Sequence, residues 1–397
     1  MQVRIGDFSY GAEERAAINQ MMDENAVSEG WRCRQFEQDF ARHIGSNHCV
    51  TANSGTSAGM LIFQALKYHS KIGAKEGKAV LTSPLTYIAT ANAFVTLGFR
   101  PAFCDIRLDT FSMDEEKAKE HFEENDPEGY CAVQPVHLMG FAVEMDRINA
   151  VAKKHGLSVV EDSCEATGTK FKGKRTGTWG TAGWFSFYIA HNIQVGEFGA
   201  ITTDDSELAE RMHRLKGNGR VCYCTVKEVE EGKCQHQNLG FNPRYLHDMI
   251  GFNFKPMEFQ AALALVQLKK AEWIMKKRQE NLKYLNDALS KLSGELRLPK
   301  YSSDVSYLGY PLIIESKKIG RDKLSLELTK AGIENRPIFN CIPTQQKAYA
   351  HLAKEYAGKL PNAEYVGRNG IYLPVHQYLT QEQLDYMAAT LAKTMKG

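Results

Sequence analysis

Short apolar runs alternate with amphipathic, helix-forming stretches through about the first 260 residues of the chain. Several of these runs are apolar at every position, which is typical of strands that helices cover on both faces of a parallel sheet. The alternation predicts an α/β large domain built on a mixed, mostly parallel sheet. The predicted strands occupy 78–84, 100–106, 131–140, 157–163, 182–190 and 199–205.

The remaining third of the chain has a different pattern. Residues 257–284 carry apolar positions at helical spacing, which predicts one long helix that links two domains. Further strands are predicted at 306–315, 333–339 and 372–376, with helices at 323–331 and from Thr380 onward. This set predicts a small C-terminal α+β domain.

The expected division of the chain follows from these two patterns. Residues 1–260 are predicted to form the large domain, which includes an N-terminal segment and a cysteine-containing loop at 217–250. Residues 261–397 are predicted to form the linking helix and the small domain.

Composition limits the class of protein. With 43% hydrophobic residues, the chain of 397 residues can bury a large core. The net charge of +2 comes from charges of both signs spread along the sequence, so a nucleic-acid partner is not expected. Neither a signal peptide nor a membrane-spanning apolar run is expected. The sequence therefore predicts a cytoplasmic protein without a membrane partner, in which the 9 cysteines are not structural disulfides.

A small turn that contains glycine, Asn53-Ser54-Gly55-Thr56, opens an apolar helix. The free N–H groups and the positive end of the dipole at such a helix start suit a phosphate. An ordinary N-cap has the same sequence features, so the motif alone leaves both interpretations open.

The segment 185–193, Phe-Ser-Phe-Tyr-Ile-Ala-His-Asn-Ile, resembles the active-site stretch of the DegT/DnrJ/EryC1/StrS sugar aminotransferases. The family has a lysine at the position of His191, and this lysine forms a Schiff base with pyridoxal phosphate (PLP). Imidazole has no primary amine for that bond, but it transfers protons near neutral pH because its pKa is ~6.5. The resemblance points to the branch in which histidine replaces the lysine, the NDP-4-keto-6-deoxyhexose 3-dehydratases. It also implies the fold of type I PLP-dependent transferases.

The resemblance assigns expected roles to further residues. Gly55 and Thr56 match the family's phosphate-binding helix start, and Ser186 matches a phosphate-binding serine. Tyr87 matches an aromatic residue that stacks on the pyridine ring, and Asp162 matches a carboxylate at the ring nitrogen. Glu165 is an acidic residue at the position where the aminotransferases have Gln. A carboxylate at the ring nitrogen keeps the ring protonated and able to accept electrons. Asn253 matches a family asparagine that reaches the phosphate in a neighbouring subunit, which implies a homodimer.

Three cysteines lie close together in a polar segment: Cys222, Cys224 and Cys234. Converging thiolates suit a soft metal or an iron–sulfur cluster. Cys164 precedes Cys222 with 57 residues between them, an arrangement that resembles the [2Fe-2S] signature of the CDP-4-keto-6-deoxyglucose 3-dehydrase type. The spacer of 9 residues between Cys224 and Cys234 is longer than in that signature, so Cys234 is the least certain ligand. Zinc and inert cysteines remain the alternatives.

Together these features predict an enzyme that removes the C3 hydroxyl of a nucleotide-linked 4-keto-6-deoxyhexose. The resemblance implies pyridoxamine 5′-phosphate (PMP), held noncovalently, and His191 as the acid/base group. It further implies electrons from a flavin/iron–sulfur or ferredoxin-type reductase, delivered through the [2Fe-2S] cluster. The alternatives are a cluster-free 3-dehydratase regenerated by glutamate transamination and a catalytically inactive protein that binds cofactor or sugar nucleotide. An ordinary aminotransferase is disfavoured because the lysine is absent.

Overall fold

The computed structural model describes residues 1–9, 11–224, 228–229, 231–234 and 243–396. Parts of the predicted cysteine-containing loop, at 225–227, 230 and 235–242, lie outside the described residues. The strands, in chain order, are β1 (His48–Ala52), β2 (Ala79–Thr82), β3 (Arg100–Phe103), β4 (Tyr130–Gln134), β5 (Ser158–Asp162), β6 (Lys170–Phe171), β7 (Lys174–Arg175), β8 (Ala182–Ser186), β9 (Gly199–Thr203), β10 (Leu296–Arg297), β11 (Tyr310–Ile314), β12 (Arg336–Pro337) and β13 (Gly370–Leu373).

The α-helices surround and connect two main sheets. In chain order they are α1 (Ala12–Asp23), α2 (Trp31–Ile44), α3 (Gly55–Tyr68), α4 (Ala89–Val95), α5 (Glu115–Glu124), α6 (Met145–Lys154), α7 (Ser206–Leu215), α8 (Glu258–Lys269), α9 (Ala271–Leu289), α10 (Arg321–Lys330), α11 (Ile342–Gln345), α12 (Pro361–Asn369) and α13 (Gln381–Lys396). Among the helices that the structure describes, none has both the length and the apolarity needed to cross a bilayer.

The large domain contains a seven-stranded sheet with the order β1-β9-β8-β5-β4-β2-β3. Only β9 runs antiparallel to its neighbours, so the predicted mixed, mostly parallel sheet is confirmed. Strands β2, β5, β8 and β9 are buried at every position, as their unbroken apolar runs indicate. The carboxyl ends of the parallel strands meet at one edge of this sheet.

Strands β4 and β8 end four or more residues before the ends that the sequence pattern predicts. Strand β4 stops at Gln134 because the next residue, Pro135, has no N–H to continue the ladder. Strand β8 stops at Ser186, where the chain leaves the sheet and the N–H of His191 donates to the carbonyl of Tyr188 in a turn, at 2.9 Å. The prediction of a strand over 182–190 is therefore wrong in its second half. This early end places His191 in a loop at the carboxyl edge of the sheet.

An aromatic cluster supports both ends of the His191 loop. Neighbouring rings in it lie with their centroids 5.0–5.6 Å apart, mostly edge to face. Phe185 lies in β8, Phe187 directly follows this strand, and Phe198 directly precedes β9. The members are Phe36, Phe40, Phe185, Phe187 and Phe198, all of them fully buried.

The predicted linking helix over 257–284 is two helices, α8 and α9, which meet at Lys270. There the N–H of Lys270 donates to the carbonyl of Gln267, three residues back, and the side chain binds Glu14 at 2.6 Å. Helix α8 is apolar on nearly all sides and packs against α1 and α2, whereas α9 is amphipathic. The change of packing partners at Lys270 explains the break.

The small domain is built on a second sheet, with the order β10-β11-β13-β12, in which all pairs are antiparallel. The predicted α+β character is present, but the sequence pattern missed the short strand β10 and the helix α12. Both are brief elements whose periodicity is too short to recognise. The boundary near residue 260 stays a prediction.

Candidate active site

A cavity of about 610 Å³ lies at the carboxyl edge of the large sheet, where residues of the small domain close it from the other side. Such an edge is the usual ligand site of open α/β sheets. Most of the residues predicted from the sequence line it together. These are Gly55, Thr56, Tyr87, Asp162, Cys164, Glu165, Ser186 and His191.

The N-terminus of α3 forms one wall of the cavity. The Ser54 hydroxyl caps the helix and accepts a hydrogen bond from the N–H of Ser57 at 3.1 Å. The N–H groups of Gly55 and Thr56 come before the first intrahelical bonds and have no partner within the described chain. Gly55 lies so close to Ser186 that a Cβ there would overlap the serine side chain. The N–H groups of Gly55 and Thr56 and the hydroxyls of Thr56 and Ser186 are therefore available to a phosphate.

Asp162 lies at the end of β5, with its carboxylate held by two neighbours. Thr90 donates its hydroxyl to Oδ2 at 2.7 Å, and the N–H of Cys164 donates to Oδ1 at 3.2 Å. The hydroxyl of Thr86 extends this chain of hydrogen bonds, because it lies 2.8 Å from the hydroxyl of Thr90. Burial raises the pKa of Asp162, and the hydrogen bonds from Thr90 and Cys164 oppose this effect. A cationic ring nitrogen beside this carboxylate would stabilise its charged form.

Tyr87 offers an aromatic face at the mouth of the cavity. Its side chain is 60% exposed, although it follows a buried strand. The ring lies 6.0 Å from that of Phe339 in the small domain, centroid to centroid. An exposed aromatic ring at a cavity is available to stack on a planar ligand. Together with the phosphate-suited helix start and Asp162, it gives a donor set that fits a phosphorylated pyridine.

His191 has one ring nitrogen engaged and the other left as an acceptor. Its Nδ1 donates to the carbonyl oxygen of Ser186 at 2.9 Å, because a carbonyl can only accept. In the neutral ring Nε2 therefore carries no proton. The pKa of His191 is lowered to about 4, mainly by burial and also by the charges of Arg278 and Arg336, while the bond to Ser186 opposes the shift. The ring is thus a neutral base at pH 7.

The pKa of Glu165 is shifted in the opposite direction to that of His191. The pKa of Glu165 is raised to about 8, mainly by burial, and the hydrogen bond that the N–H of Met139 donates to Oε2 at 2.8 Å opposes this rise. Met139 adopts a left-handed backbone with φ of 55°, which brings its N–H to the carboxyl group. A glutamic acid that is protonated at pH 7 can donate a hydrogen bond, as the amide of glutamine does.

Three of the four predicted cluster cysteines converge. The sulfur atoms of Cys222, Cys224 and Cys234 lie within 4.8 Å of one another, and those of Cys222 and Cys234 are 3.6 Å apart. Burial and the two neighbouring thiols raise the pKa of Cys224 to about 12. Cys164 is not part of this group and lines the cavity instead. The donor set suits a soft metal or an iron–sulfur cluster, with three ligands assembled.

Asn253 lies outside the residues that line the cavity and is exposed. Its side-chain oxygen accepts from Lys255 Nζ at 2.8 Å. The surrounding segment pairs with residues 216–218, and the carbonyl of Phe254 accepts from the N–H of Asn53 at 2.9 Å. Asn253 therefore lies in a segment that packs near the start of α3, and its exposed side chain can face another molecule.

A family model described as the DegT/DnrJ/EryC1/StrS aminotransferase family matches residues 9–392. The chain belongs to this family. The resemblance drawn from the segment around His191 is thereby confirmed.

Individual relatives match over nearly the full chain. The lipopolysaccharide biosynthesis protein RfbH of Salmonella typhimurium is 31% identical over 366 residues, which cover 89% of this chain and 83% of that protein. A dTDP-4-dehydro-2,6-dideoxy-D-glucose 3-dehydratase of Saccharopolyspora spinosa is 30% identical, over 96% of this chain and 84% of that protein. A crystal structure of GDP-4-keto-6-deoxymannose-3-dehydratase, a histidine-to-asparagine mutant with bound GDP-perosamine, has a TM-score of 0.86 at 26% identity and covers 98% of this chain and 100% of its own. The predicted α/β transferase fold is confirmed by these similarities.

Sequence reasoning missed the cavity residues that the small domain and the loop after His191 supply. They come from short strands and turns without a motif, so only tertiary packing reveals them. Among them are Glu197, Arg336, Asn340, Gln346 and Tyr372. Thr90 also lines the cavity, and its hydrogen bond to Asp162 gives it a role that no motif indicated.

We predict that Gly55→Ala weakens binding of pyridoxal phosphate about five- to hundredfold. The added Cβ would overlap Ser186 and displace the start of α3, and overpacking of this kind costs about 1–3 kcal/mol. Titration of the cofactor by absorbance measures the dissociation constant. Gly294→Ala is the matched control, because a Cβ at Gly294 meets open space. Equal affinity in the two variants would contradict a phosphate site at this helix.

Proposed function

We propose that this chain is a PMP-dependent enzyme that dehydrates a nucleotide-linked 4-keto-6-deoxyhexose at C3, with His191 as its acid/base group. One observation carries the proposal. The position of the cofactor-binding lysine holds a histidine that lines the cavity with Nε2 as an unprotonated acceptor. Such a residue moves a proton but forms no Schiff base.

The named relatives support the substrate class. Two of the similar proteins described above are named as 3-dehydratases of nucleotide-linked keto sugars. The solved structure was obtained with a histidine replaced by asparagine, and it contains a GDP-linked sugar. We therefore propose a nucleotide-linked keto sugar as the substrate of this chain.

The proposed cofactor would be held without a covalent bond. Gly55, Thr56 and Ser186 would bind its phosphate, Tyr87 would stack on its ring, and Asp162 would bind its ring nitrogen. When bound, PMP supplies the primary amine that condenses with the C4 ketone and a ring that accepts the electron pair. Asp162 keeps the ring nitrogen protonated, which its contacts with Thr90 and Cys164 favour.

Proton transfer would be the task of His191. Its Nε2 removes a proton at C4′ of the cofactor, since Nδ1 is engaged by the Ser186 carbonyl. A base with a pKa near 4 is unprotonated at pH 7, so no proton has to leave before the reaction. Glu165 is protonated below about pH 8 and would donate a hydrogen bond to the cofactor from Oε1, because Oε2 accepts from the N–H of Met139.

We further propose that a [2Fe-2S] cluster is bound by Cys222, Cys224 and Cys234, with Cys164 as the fourth ligand. The assembled sulfur atoms of the first three support this proposal. A cluster would supply single electrons from a flavin/iron–sulfur or ferredoxin-type reductase. Reducing conditions preserve thiolates, so the proposal agrees with the expectation of a cytoplasmic enzyme.

The place of Cys164 favours a second candidate. It lies in the cavity, outside the group that the other three thiols form. A cluster-free 3-dehydratase, regenerated by glutamate transamination, needs no fourth ligand and no reductase. Iron content decides between the two candidates.

We also propose that the chain forms a homodimer in which Asn253 reaches the partner's cavity. Asn253 is exposed, and its own segment, 245–259, carries the exposed apolar side chains of Tyr245, Ile250, Met257 and Phe259. Met22, Val27 and Trp31 are exposed as well. Exposed apolar side chains that form a patch are typical of a protein interface.

We predict that His191→Lys binds PLP covalently and loses C3 dehydration. Lysine supplies the primary amine that imidazole lacks, and the amine then competes with the substrate ketone for the cofactor. Borohydride reduction followed by mass spectrometry of the peptide around position 191 measures the adduct. His191→Asn is the matched control and should give no adduct. An unmodified lysine peptide, or dehydration at the wild-type rate, would refute this account of position 191.

We predict that Cys222→Ser abolishes the visible absorption of anaerobically purified protein and most of its iron. The serine hydroxyl is a poor ligand for iron that thiolates bind. Absorption and EPR spectra, with iron and sulfide assays, measure the loss. Cys104→Ser and Cys341→Ser are the controls, since these buried thiols lie apart from the three-cysteine group.

The parallel variants Cys164→Ser and Cys234→Ser locate the fourth ligand. Loss of iron in both supports the four-cysteine set, and full retention in Cys164→Ser removes Cys164 from it. Wild-type protein that contains zinc, or no metal at all, would contradict the cluster and leave the cluster-free dehydratase.

A further inference from the structure

We infer that Arg278 is a positioning residue: it fixes the loop that carries His191 to the junction of the two domains. The role deepens the proposed function, since it concerns the residue that we propose as the acid/base group. Arg278 lies on α9, which the sequence analysis treated only as a link between domains. Its side chain is not among those that line the cavity.

The guanidinium of Arg278 joins three segments that are far apart in the chain. Its Nη2 donates to the carbonyl of His191 at 3.1 Å. Its Nη1 donates to the carbonyls of Tyr307 and Leu308, at 3.1 and 2.8 Å. Its Nε donates to Oε1 of Gln377 at 3.2 Å. The planar guanidinium thus binds the His191 loop and two connecting segments, one at Tyr307 and Leu308 and one at Gln377, at the same time.

A second route runs from Arg278 to the same loop through two glutamines. Gln377 donates to Oε1 of Gln194 at 3.1 Å, and Gln194 donates to the carbonyl of Ile189 at 2.6 Å. The loop is therefore held at two carbonyls, that of Ile189, which precedes His191, and that of His191 itself.

The neighbour of His191 adds a third attachment. Asn192 donates through Nδ2 to the carbonyls of Ser306 and Tyr307, at 3.1 and 3.2 Å. Tyr307 is thus a common partner of Asn192 and Arg278. The four donor side chains of this network are buried, so water cannot replace a lost donor without a rearrangement: Arg278, Gln377, Gln194 and Asn192.

The burial of Arg278 indicates that its role is specific. The side chain is fully buried, and within the described part of the chain it forms no ion pair. Burial lowers its pKa to about 9, so it remains charged at pH 7. A buried charge without a carboxylate costs stability, and an apolar residue of similar length would pack there at lower cost. The guanidinium is therefore explained by the four acceptors that its donors bind.

Arg278 also acts on the His191 ring through its charge. Burial is the main cause of the low pKa of His191, and Arg278 and Arg336 lower it further. Besides Arg336, eight ionisable residues line the cavity with His191: Tyr87, His137, Asp162, Cys164, Glu165, Tyr188, Glu197 and Tyr372. The Tyr188 ring lies 5.9 Å from that of His191, centroid to centroid. Loss of the positive charge and entry of water into a loosened loop would both raise the pKa of His191.

The test is an NMR titration of His191 in the full-length protein without added cofactor, labelled with ¹⁵N at histidine. His191→Asn identifies the signals. We expect a single Nδ1–H tautomer and a pKa near 4 in the wild type. In Arg278→Met the pKa should rise by about one unit or more, and signals of the second tautomer should appear.

Two further variants protect the test against loss of folding. Gln377→Leu leaves the charge of Arg278 in place and breaks the route to Ile189, so a rise of the pKa there reports a loosened loop. Arg278→Lys keeps a positive charge, but one ammonium group cannot reach four acceptors. The control is Lys277→Met, which removes an exposed cation from the same helix and should leave the titration unchanged.

The outcomes separate this inference from the proposed function. A shifted titration in Arg278→Met or Gln377→Leu, together with a kcat at least about tenfold lower and an unchanged KM, supports both. A shifted titration while His191→Asn still dehydrates at the wild-type rate supports the positioning role and refutes the catalytic one. An unchanged His191 titration in folded Gln377→Leu and Arg278→Lys, or a shift equal to that in Lys277→Met, overturns the positioning role.

Discussion

The hydrogen bond from His191 Nδ1 to the Ser186 carbonyl joins the end of β8 to the loop that follows it. It decides which nitrogen of the imidazole carries the proton, and so which one is a base. Both ends of the bond are held in place. Ser186 pairs with Gly199 in the sheet, and the carbonyl of His191 accepts from Arg278. The geometry of the proposed base thus depends on the sheet on one side and on the domain junction on the other.

Burial sets the charge state of the cavity. It raises the pKa of Asp162 and Glu165 and lowers that of His191, so all three groups are shifted toward their neutral forms. A neutral base and a neutral acid can therefore coexist at pH 7 in one cavity. The phosphate of a ligand would be held by N–H groups and hydroxyls at the start of α3 rather than by a lysine.

Much of this arrangement could be predicted from the sequence. Unbroken apolar runs indicate buried parallel strands, and the motifs that follow these strands meet at one edge because parallel strands share a direction. The break between α8 and α9 at Lys270 and the early end of β8 depend on packing and turns, which periodicity does not report. The cavity residues Arg336 and Tyr372, and the clamp at Arg278, come from segments that fold against the site from far along the chain. Cys164 carries a spacing signal but lies apart from the other thiols, which spacing alone cannot show.

The central claim is that His191 moves a proton at C4′ of the cofactor. The most direct measurement compares wild type and His191→Asn, both saturated with PMP and a nucleotide-linked 4-keto-6-deoxyhexose, for hydrogen exchange at C4′ in deuterated water and for expulsion of the C3 hydroxyl. Our account predicts that His191→Asn binds the cofactor as the wild type does while both rates fall together by about 10²–10⁴-fold. Exchange and expulsion at wild-type rates in His191→Asn would contradict it.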